Sequence, residues 1–455
     1  MTQPKPRLDA QEFIDHIVAS GLMDREEVQR AVESLPPTDR AKIVARHLVE
    51  AGKLTKFQAE RLLGGKTDGF QLGQYRILDE LGRGGMGRVY KAVHLAMGRF
   101  VALKMISPAL TQTERARELF QREVRAAGRL HHPNIVTFYD AHTSGDRCYL
   151  VMEFVDGPNL SQLVREQGPL PVEQACEYIR QAAVGLEYAH AQGLIHRDIK
   201  PANILLENGV ERVKITDFGL ARAVDDATLS QSGVVAGTPQ YMSPEQAGGE
   251  PVDHRTDLFS LGSVLYALCT GRPAFRGHSS MATLRKVCEQ RPRPIQELNP
   301  EIPSWLVRII EKLHAKDPAG RYGSAAEVAD LLGRCLAHVQ QPASVPLPAE
   351  LRPARNRRAM ALWGTLPVGL VLAALLCWPG AREAAGQAVS YVATVLRLKT
   401  PEGTLVVETE DPGVGIKLDG SELVVTGAGV KELRLSVGQH NVQTLKDGRI
   451  LREEL

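Results

Sequence analysis

The sequence predicts an α+β chain assembled from several domains. Three observations carry this reading. The central stretch passes from short alternating β-rich segments into long helical ones, one apolar run has the length of a membrane helix, and the residues after 391 alternate in strand fashion. The 455 residues set a prior of about three domains. The 55 Lys+Arg against 53 Asp+Glu leave +2, so nothing in the overall charge points to nucleic acid as a partner. Charged residues at 24% and hydrophobic ones at 43% fit a globular chain and exclude a mostly disordered one. The six cysteines form no C-x-x-C pair and have no histidine at zinc spacing, which argues against a disulfide scaffold, a structural zinc site and a thiol redox motif.

Residues 1–70 read as a helical N-terminal domain. Phe13, Ile14, Ile17 and Val18, then Val28, Ala31, Val32 and Leu35, recur at helical spacing. Asp24 with Glu27, and Thr55 with Gln58, have capping-box spacing, while Pro36-Pro37 and Gly64-Gly65 break the pattern. The expected core includes Ile14, Ile43, Leu48, Phe57 and Leu62. The N-terminus, MTQPKPRLDAQEF, lacks the apolar stretch of a cleavable signal peptide. Nothing in this region has catalytic spacing; it suits a docking module or a stabilising extension.

The chemistry lies between 75 and about 340. Gly82-Arg83-Gly84-Gly85-Met86-Gly87 is a G-x-G-x-x-G. In a dinucleotide-binding turn this motif opens a helix. Here it runs into the strand-like Val89–Val93 and Phe100–Ile106, so the glycines sit in a hairpin whose backbone could approach phosphates. Lys104 lies inside the second strand. On the helical segment TERARELFQREVRAAGRL, Glu123 shares a face with Phe120 and Ala127, which places a carboxylate inward. An inward charge requires a partner. Lys104 is the natural one, and the pair would fix its ammonium against the α- and β-phosphates of a nucleotide. A solvated lysine and a surface glutamate are the bland alternatives.

His196-Arg197-Asp198-Ile199-Lys200-Pro201-Ala202-Asn203 follows a helix ending near His190. A strand at 213–215 then precedes Asp217-Phe218-Gly219. Phosphoryl transfer needs a carboxylate near the incoming hydroxyl and oxygen ligands for Mg²⁺. Asp198 suits the first role, Asn203 and Asp217 the second.

With these motifs in this order, residues 75–335 resemble a eukaryotic-type serine/threonine protein kinase, in the form found in bacterial membrane receptor kinases of the Pkn family. The resemblance rests on the Gly-rich loop 82–87, V-A-L-K at 101–104, Glu123, H-R-D-I-K-P-A-N at 196–203 and D-F-G at 217–219. It extends through G-T-P-Q-Y-M-S-P-E at 237–245, D-L-F-S-L-G at 257–262 and Arg321. S-P-E in place of A-P-E is the one departure. The resemblance implies a bilobal protein-kinase fold, an enzyme using ATP and Mg²⁺, and protein substrates. It casts Asp198, Lys200, Lys104 and Glu123 as catalytic. Gly82, Gly84, Gly85, Gly87, Val89, Ala102, Lys104, Met152, Glu153 and Val155 become the nucleotide site, with Met152 as gatekeeper and 153–155 as the hinge. Asn203 and Asp217 hold the metal. Lys200 and Thr238 help hold Asp198 and the substrate hydroxyl, Asp257 braces the catalytic loop, and Glu245 and Arg321 form a buried ion pair. Arg197 receives a phosphate carried on the activation segment at Ser230 or Ser232, with Thr228 the runner-up. Pairing of kinase domains into a homodimer is an option the resemblance leaves open. A silent membrane scaffold is the rival from another class, and the intact catalytic set speaks against it. Small-molecule phosphotransferases share the fold but usually lack the S-P-E segment.

Residues 339–358 are Pro- and Arg-rich and read as a juxtamembrane linker. From Ala359 to Ala381 no residue is charged, and these 23 residues would make a helix of about 34 Å, enough for a single membrane pass. Arg352, Arg355, Arg357 and Arg358 precede the span and only Arg382 follows closely, so the kinase side is expected in the cytoplasm of a bacterium and the C-terminus outside its inner membrane. Residues 391–455 read as a small extracytoplasmic all-β domain with hairpin dipeptides at Asp419-Gly420 and Asp447-Gly448. They are similar to PEGA-type domains, although the tetrapeptide naming that family is absent.

Overall fold

Alternation along each strand decides how the first part of the molecule is layered. In the computed structural model, described at residues 8–84, 87–108, 114–144, 147–218 and 238–352 and at the strands of 402–454, the chain divides into two units, Met1–Arg352 and Pro353–Leu455. In the first unit, strands β1 (Gln71–Leu72), β2 (Tyr75–Gly84), β3 (Gly87–His94), β4 (Phe100–Ile106), β5 (Phe138–Ser144) and β6 (Arg147–Glu153) form an antiparallel sheet in the order β1-β2-β3-β4-β6-β5. Successive side chains point to opposite faces. Tyr75, Ile77, Tyr90, Val101, Leu103, Tyr149 and Val151 pack together on one face. Ala102, Ile106, Leu150 and Met152 join the main core on the other. Lys104 has the parity of Ala102 and Ile106, which puts it on the core-facing side.

Against the first face lies α4 (Lys56–Leu63), the last of four N-terminal helices that also include α1 (Ala10–Ala19), α2 (Arg25–Val32) and α3 (Ala41–Glu50). Capping boxes open α1, α2 and α4, at Asp9/Glu12, Asp24/Glu27 and Thr55/Gln58. Phe13, Ile17, Val28, Leu48, Leu62 and Phe70 fill their common core. Two expected core members behave differently. Ile43 is 40% exposed, because it sits on the outward side of α3. Phe57 leaves the helical core and packs against the sheet, its ring centroid 6.1 Å from that of Tyr90. The Thr55 hydroxyl donates to the Leu78 carbonyl at 2.5 Å and Gln58 Nε2 to the Ile77 carbonyl at 2.7 Å, so α4 grips the strand that leads into the Gly-rich hairpin.

Helix α5 (Glu114–Ala127) follows β4, and its Phe120, Glu123 and Ala127 are buried as one stripe. The second lobe is helical: α6 (Leu160–Gln167), α7 (Val172–Ala191), the hairpin β7 (Ile204–Glu207)–β8 (Arg212–Ile215), α8 (Pro244–Gly248), α9 (Arg255–Thr270), α10 (Ser280–Glu289), α11 (Ser304–Leu313) and α12 (Ala325–Gln340). Helix α9 is buried on all sides from Thr256 to Thr270, as expected of a helix apolar all round. Residues after α12 stay on this lobe. Leu351 is buried, Arg334 pairs with Glu350 at 2.7 Å, and Arg308 donates to the Leu351 and Arg352 carbonyls.

In the second unit, strands β9 (Glu402–Thr409) and β12 (Gly429–Ser436) pair antiparallel, and β10 (Val414–Leu418), β11 (Ser421–Leu423), β13 (Val442–Lys446) and β14 (Arg449–Glu454) form a sheet in the order β11-β10-β13-β14. Leu418 faces Ser421 and Lys446 faces Arg449, on either side of the two Asp-Gly dipeptides. The apolar run 359–381 lies outside the described residues. No helix among the described residues is long and apolar enough to cross a membrane.

Candidate active site

The cleft between the lobes is built from three pieces of backbone. The first is the hairpin β2–β3, where Gly84 pairs with Gly87 and Gly82 with Val89. Gly87 has φ +136°, and a Cβ there would strike the Met105 carbonyl at 1.8 Å, so no other residue fits. Cβ atoms on Gly82 and Gly84 would meet nothing within 4 Å, which leaves open space over the hairpin. Gly85 lies outside the described residues. Val89 stands opposite Lys104 on β4, and Ala102 stands opposite Met152 on β6.

The second piece is the segment from Met152 to Val155. Met152 is buried, with the Thr216 hydroxyl donating towards its sulfur at 3.9 Å. The Glu153 carboxylate is used structurally: it pairs with Lys214 at 2.8 Å and accepts the Thr137 N–H at 3.1 Å. Only the backbone of Glu153 is therefore left to a bound base.

The third piece joins α7 to β8. Lys200 Nζ donates to Asp198 Oδ2 at 2.7 Å, and Asn203 Nδ2 donates to the same oxygen at 3.0 Å and to the Asp198 carbonyl at 2.8 Å. The Asn203 carbonyl accepts the Thr216 N–H at 3.0 Å, which brings Asp217 alongside. Asp217 Oδ2 lies 2.7 Å from Lys104 Nζ. Burial alone would raise the Asp217 carboxyl, but Lys104, His196 and Lys200 outweigh it and hold it below its ordinary value. Asp217 takes φ +69°, a left-handed backbone rarely adopted by a residue with a side chain. The sequence reading pairs Lys104 with Glu123 and gives Asp217 to the metal; in the structure Glu123 is buried on α5 and Asp217 also engages Lys104.

Behind this row stands Asp257 on α9, fully buried. Its carboxylate accepts the backbone N–H groups of His196 and Arg197, each at 2.8 Å, and the His190 Nε2–H at 2.8 Å. Burial would raise this carboxyl too, and the hydrogen bond from His190 leads the effects that bring it below its usual range. His196 donates from Nε2 to the Thr216 carbonyl at 2.8 Å and packs edge-on against Phe218. Glu245 and Arg321 form a two-pronged pair at 2.7 Å on each arm. Thr238 begins the turn Pro239–Tyr241. Thr228, Ser230 and Ser232 lie outside the described residues.

The oxygens fit a divalent cation shared with a phosphate ligand. Asn203 spends its amide nitrogen on Asp198 and Asp217 spends Oδ2 on Lys104, so each retains one oxygen. Mg²⁺ characteristically takes one or two side-chain ligands and completes its shell with water and phosphate.

The chain is similar to known proteins. The family model described as "protein kinase domain" matches residues 75–332. The serine/threonine-protein kinase PknB of Mycobacterium leprae is 41% identical over 279 residues, which cover 60% of this chain and 44% of that protein. PknB of Mycolicibacterium smegmatis is 41% identical over 266 residues, covering 57% of this chain and 42% of that one. The chain thus spans less than half the length of these relatives. The crystal structure of the Mycobacterium tuberculosis PknI kinase domain overlays with a TM-score of 0.48 at 29% identity, covering 58% of this chain and 96% of that one.

Proposed function

Because the chain belongs to the protein kinase family, we propose that it is a serine/threonine protein kinase that transfers the γ-phosphate of ATP to protein hydroxyls with Mg²⁺. One observation carries this reading: Lys104, Asp217, Asn203, Asp198 and Lys200 stand in one hydrogen-bonded row along the cleft. Both side-chain bonds to Asp198 fall on Oδ2, so Oδ1 is left to receive the proton of a serine or threonine hydroxyl. Lys200 holds that carboxylate from one side and offers its charge to the transferring phosphoryl group. Lys104 is the cation for the α- and β-phosphates, with Glu123 on the neighbouring buried face. Asn203 and Asp217 would hold Mg²⁺, which when bound neutralises charge on the phosphates. Gly82, Gly84, Gly85 and Gly87 would lie over the phosphates, and Val89, Ala102, Met152 and Val155 would wall the adenine. Asp257 fixes the catalytic loop, and Glu245 with Arg321 anchors the segment after it.

The remaining layout follows from the sequence. The reading places a helical domain at 1–70, the kinase at 75–338, a linker at 339–358, one membrane span at 359–381 and an extracytoplasmic PEGA-like β-domain at 391–455. The kinase then faces the cytoplasm, where ATP is. Arg197 is the receiver for a phosphate on Ser230, Ser232 or Thr228, which would order the activation segment. The kinase domain is also the surface on which a homodimer would form.

The test is phosphotransfer from labelled ATP with Mg²⁺ to the protein itself or to a generic protein substrate. Wild type should be active and Asp198→Asn inert; equal inertness of the two sinks the reading. Protease added outside intact cells should cut within 391–455 and spare 1–350. Mass spectrometry of active enzyme should find phosphate between Asp217 and Glu245, and the Ser230→Ala/Ser232→Ala double variant should lose the activation.

A further inference from the structure

Helices α4 and α8 begin with the same device. In each, a hydroxyl residue caps the helix and a glutamine three residues on closes the box. In α4, Gln58 Oε1 accepts the Thr55 N–H at 2.9 Å while Nε2 reaches out to the Ile77 carbonyl. In α8, Gln246 Oε1 accepts the Ser243 N–H at 3.2 Å while Nε2 donates to the Arg197 carbonyl at 2.8 Å. A glutamate closes such a box equally well. Only glutamine has a donor left over. In α4 the recipient is a strand; in α8 it is the catalytic loop.

The recipient in the catalytic loop is under strain. Arg197 takes φ +67°, a left-handed backbone that strains a residue with a side chain. The peptide joining Arg197 to Asp198 is held at both ends. Its carbonyl accepts from Gln246, and its N–H donates to His196 Nδ1 at 3.2 Å. The preceding peptide is held by Asp257 through the Arg197 N–H. Turning the 197–198 peptide over would change ψ of Arg197 and φ of Asp198 and so swing the Asp198 carboxylate away from Lys200 and Asn203, whereas the positive φ of Arg197 is set by the preceding peptide, which Asp257 holds.

We propose that Gln246 is a positioning residue for phosphoryl transfer: its Nε2 locks the 197–198 peptide and so aims the carboxylate of Asp198. It also makes that aim depend on the seating of α8, the helix that follows the activation segment. The proposal rests on the kinase reading above.

The experiment compares full-length wild type, Gln246→Glu and Gln246→Ala. Glutamate keeps the box closed but turns an acceptor towards the Arg197 carbonyl in place of the donor, so Gln246→Glu should melt somewhat below wild type near pH 8 and approach it towards about pH 6. Its KM for ATP should be unchanged and its kcat should fall about tenfold near pH 8, the effect of one lost hydrogen bond on the barrier. The deficit should narrow towards about pH 6, where a glutamic acid facing a carbonyl regains a proton to donate. Gln246→Ala should show the same kcat loss with no recovery at low pH, together with a lower melting temperature. Wild-type kcat in Gln246→Glu, or a deficit that does not narrow with falling pH, overturns the proposal. A wild type no more active than Asp198→Asn removes the kinase reading itself and the proposal with it.

Discussion

Two buried ion pairs, one in the cleft and one beneath α9, show how the same chemistry is put to opposite uses. Arg321 spends every donor. Its Nη1 and Nη2 hold Glu245, and its remaining bonds go to the Ala315, Arg255 and Lys316 carbonyls. Glu245 also accepts the Thr256 hydroxyl at 2.6 Å. Both side chains are sealed, at 0% and 4% exposed. The Lys104–Asp217 pair is different. Asp217 is 19% exposed, sits on a left-handed backbone and faces the cleft. A closed pair with complete hydrogen bonding can do nothing but hold the fold. An open pair can exchange its partners for a ligand's phosphates and metal. Exposure and unspent hydrogen-bonding capacity, rather than charge, separate the reactive pair from the structural one.

The sharpest way to break this comparison is to damage each pair in turn. On the proposed function, Asp217→Asn should reduce phosphotransfer by at least ~10²–10³-fold, because the charge that would meet the metal is gone. Its urea midpoint should fall less than that of Glu245→Ala, since Asp217 is partly open to water and asparagine keeps an oxygen for Lys104. Glu245→Ala should do the reverse in stability, costing about 3–5 kcal/mol because it leaves the Arg321 guanidinium buried and unpaired. If Asp217→Asn unfolds at much lower urea than wild type, or Glu245→Ala melts normally, the distinction between the two pairs is wrong.

A smaller effect tests the cover on the other face of the sheet. Phe57→Ala removes a ring that packs on Tyr90 from outside the kinase lobe and is already half-buried. It should cost about 2–3 kcal/mol, at or below the low end for an aromatic truncated in a core. A loss below ~0.5 kcal/mol would show that the helical module does not lean on the sheet.

The sequence made the cleft legible because its parts are local strings. His196 to Asn203 and Asp217 to Gly219 each carry their chemistry within a few residues, and the hairpin glycines are demanded by backbone approach, as Gly87 shows. What stayed hidden depends on contacts between distant segments. Phe57 has helical spacing and reads as a core residue of its own module; only the sheet beside it makes it an interface. Ile43 is apolar at a helical position, yet it is itself 40% exposed on α3. Gln246 closes the capping box of α8, and its second bond runs to a loop 49 positions away. The glutamine in place of glutamate was the available hint, since only the amide brings a spare donor.

The smallest expected effect concerns pH and lies in the closed region. His314 ends α11 beside the Phe259 and Phe275 rings, with ring centroids at 5.1 and 5.3 Å. The Ser263 hydroxyl and His314 Nε2 are hydrogen-bonded at 2.9 Å, while Nδ1 is buried with no hydrogen-bond partner among the described residues. Charging the ring would protonate both nitrogens and leave an Nδ1–H buried without an acceptor. Burial, then the nearby Lys316 and Arg321 cations, push the imidazole down from its ordinary value to about 3. The unfolded chain keeps the ordinary value near 6.5. The folded value is the lower one, so His314 contributes stability that is fully present above about pH 6.5 and is lost progressively towards about pH 3. One proton taken up only by the unfolded state gives a slope of at most about 1.4 kcal/mol per pH unit. Glu245 and Asp257 are also held low, but carboxylates act below about pH 4, so the window between about pH 6.5 and about pH 5 isolates the histidine from them. Urea midpoints of wild type and His314→Gln across that window should diverge. The variant keeps a hydrogen-bond partner for Ser263, starts less stable at neutral pH because its shape fits the two rings less well, and loses less as the pH falls. Parallel lines for the two proteins would mean that His314 takes up its proton in the folded state, and that the closed region tolerates a charge on the ring.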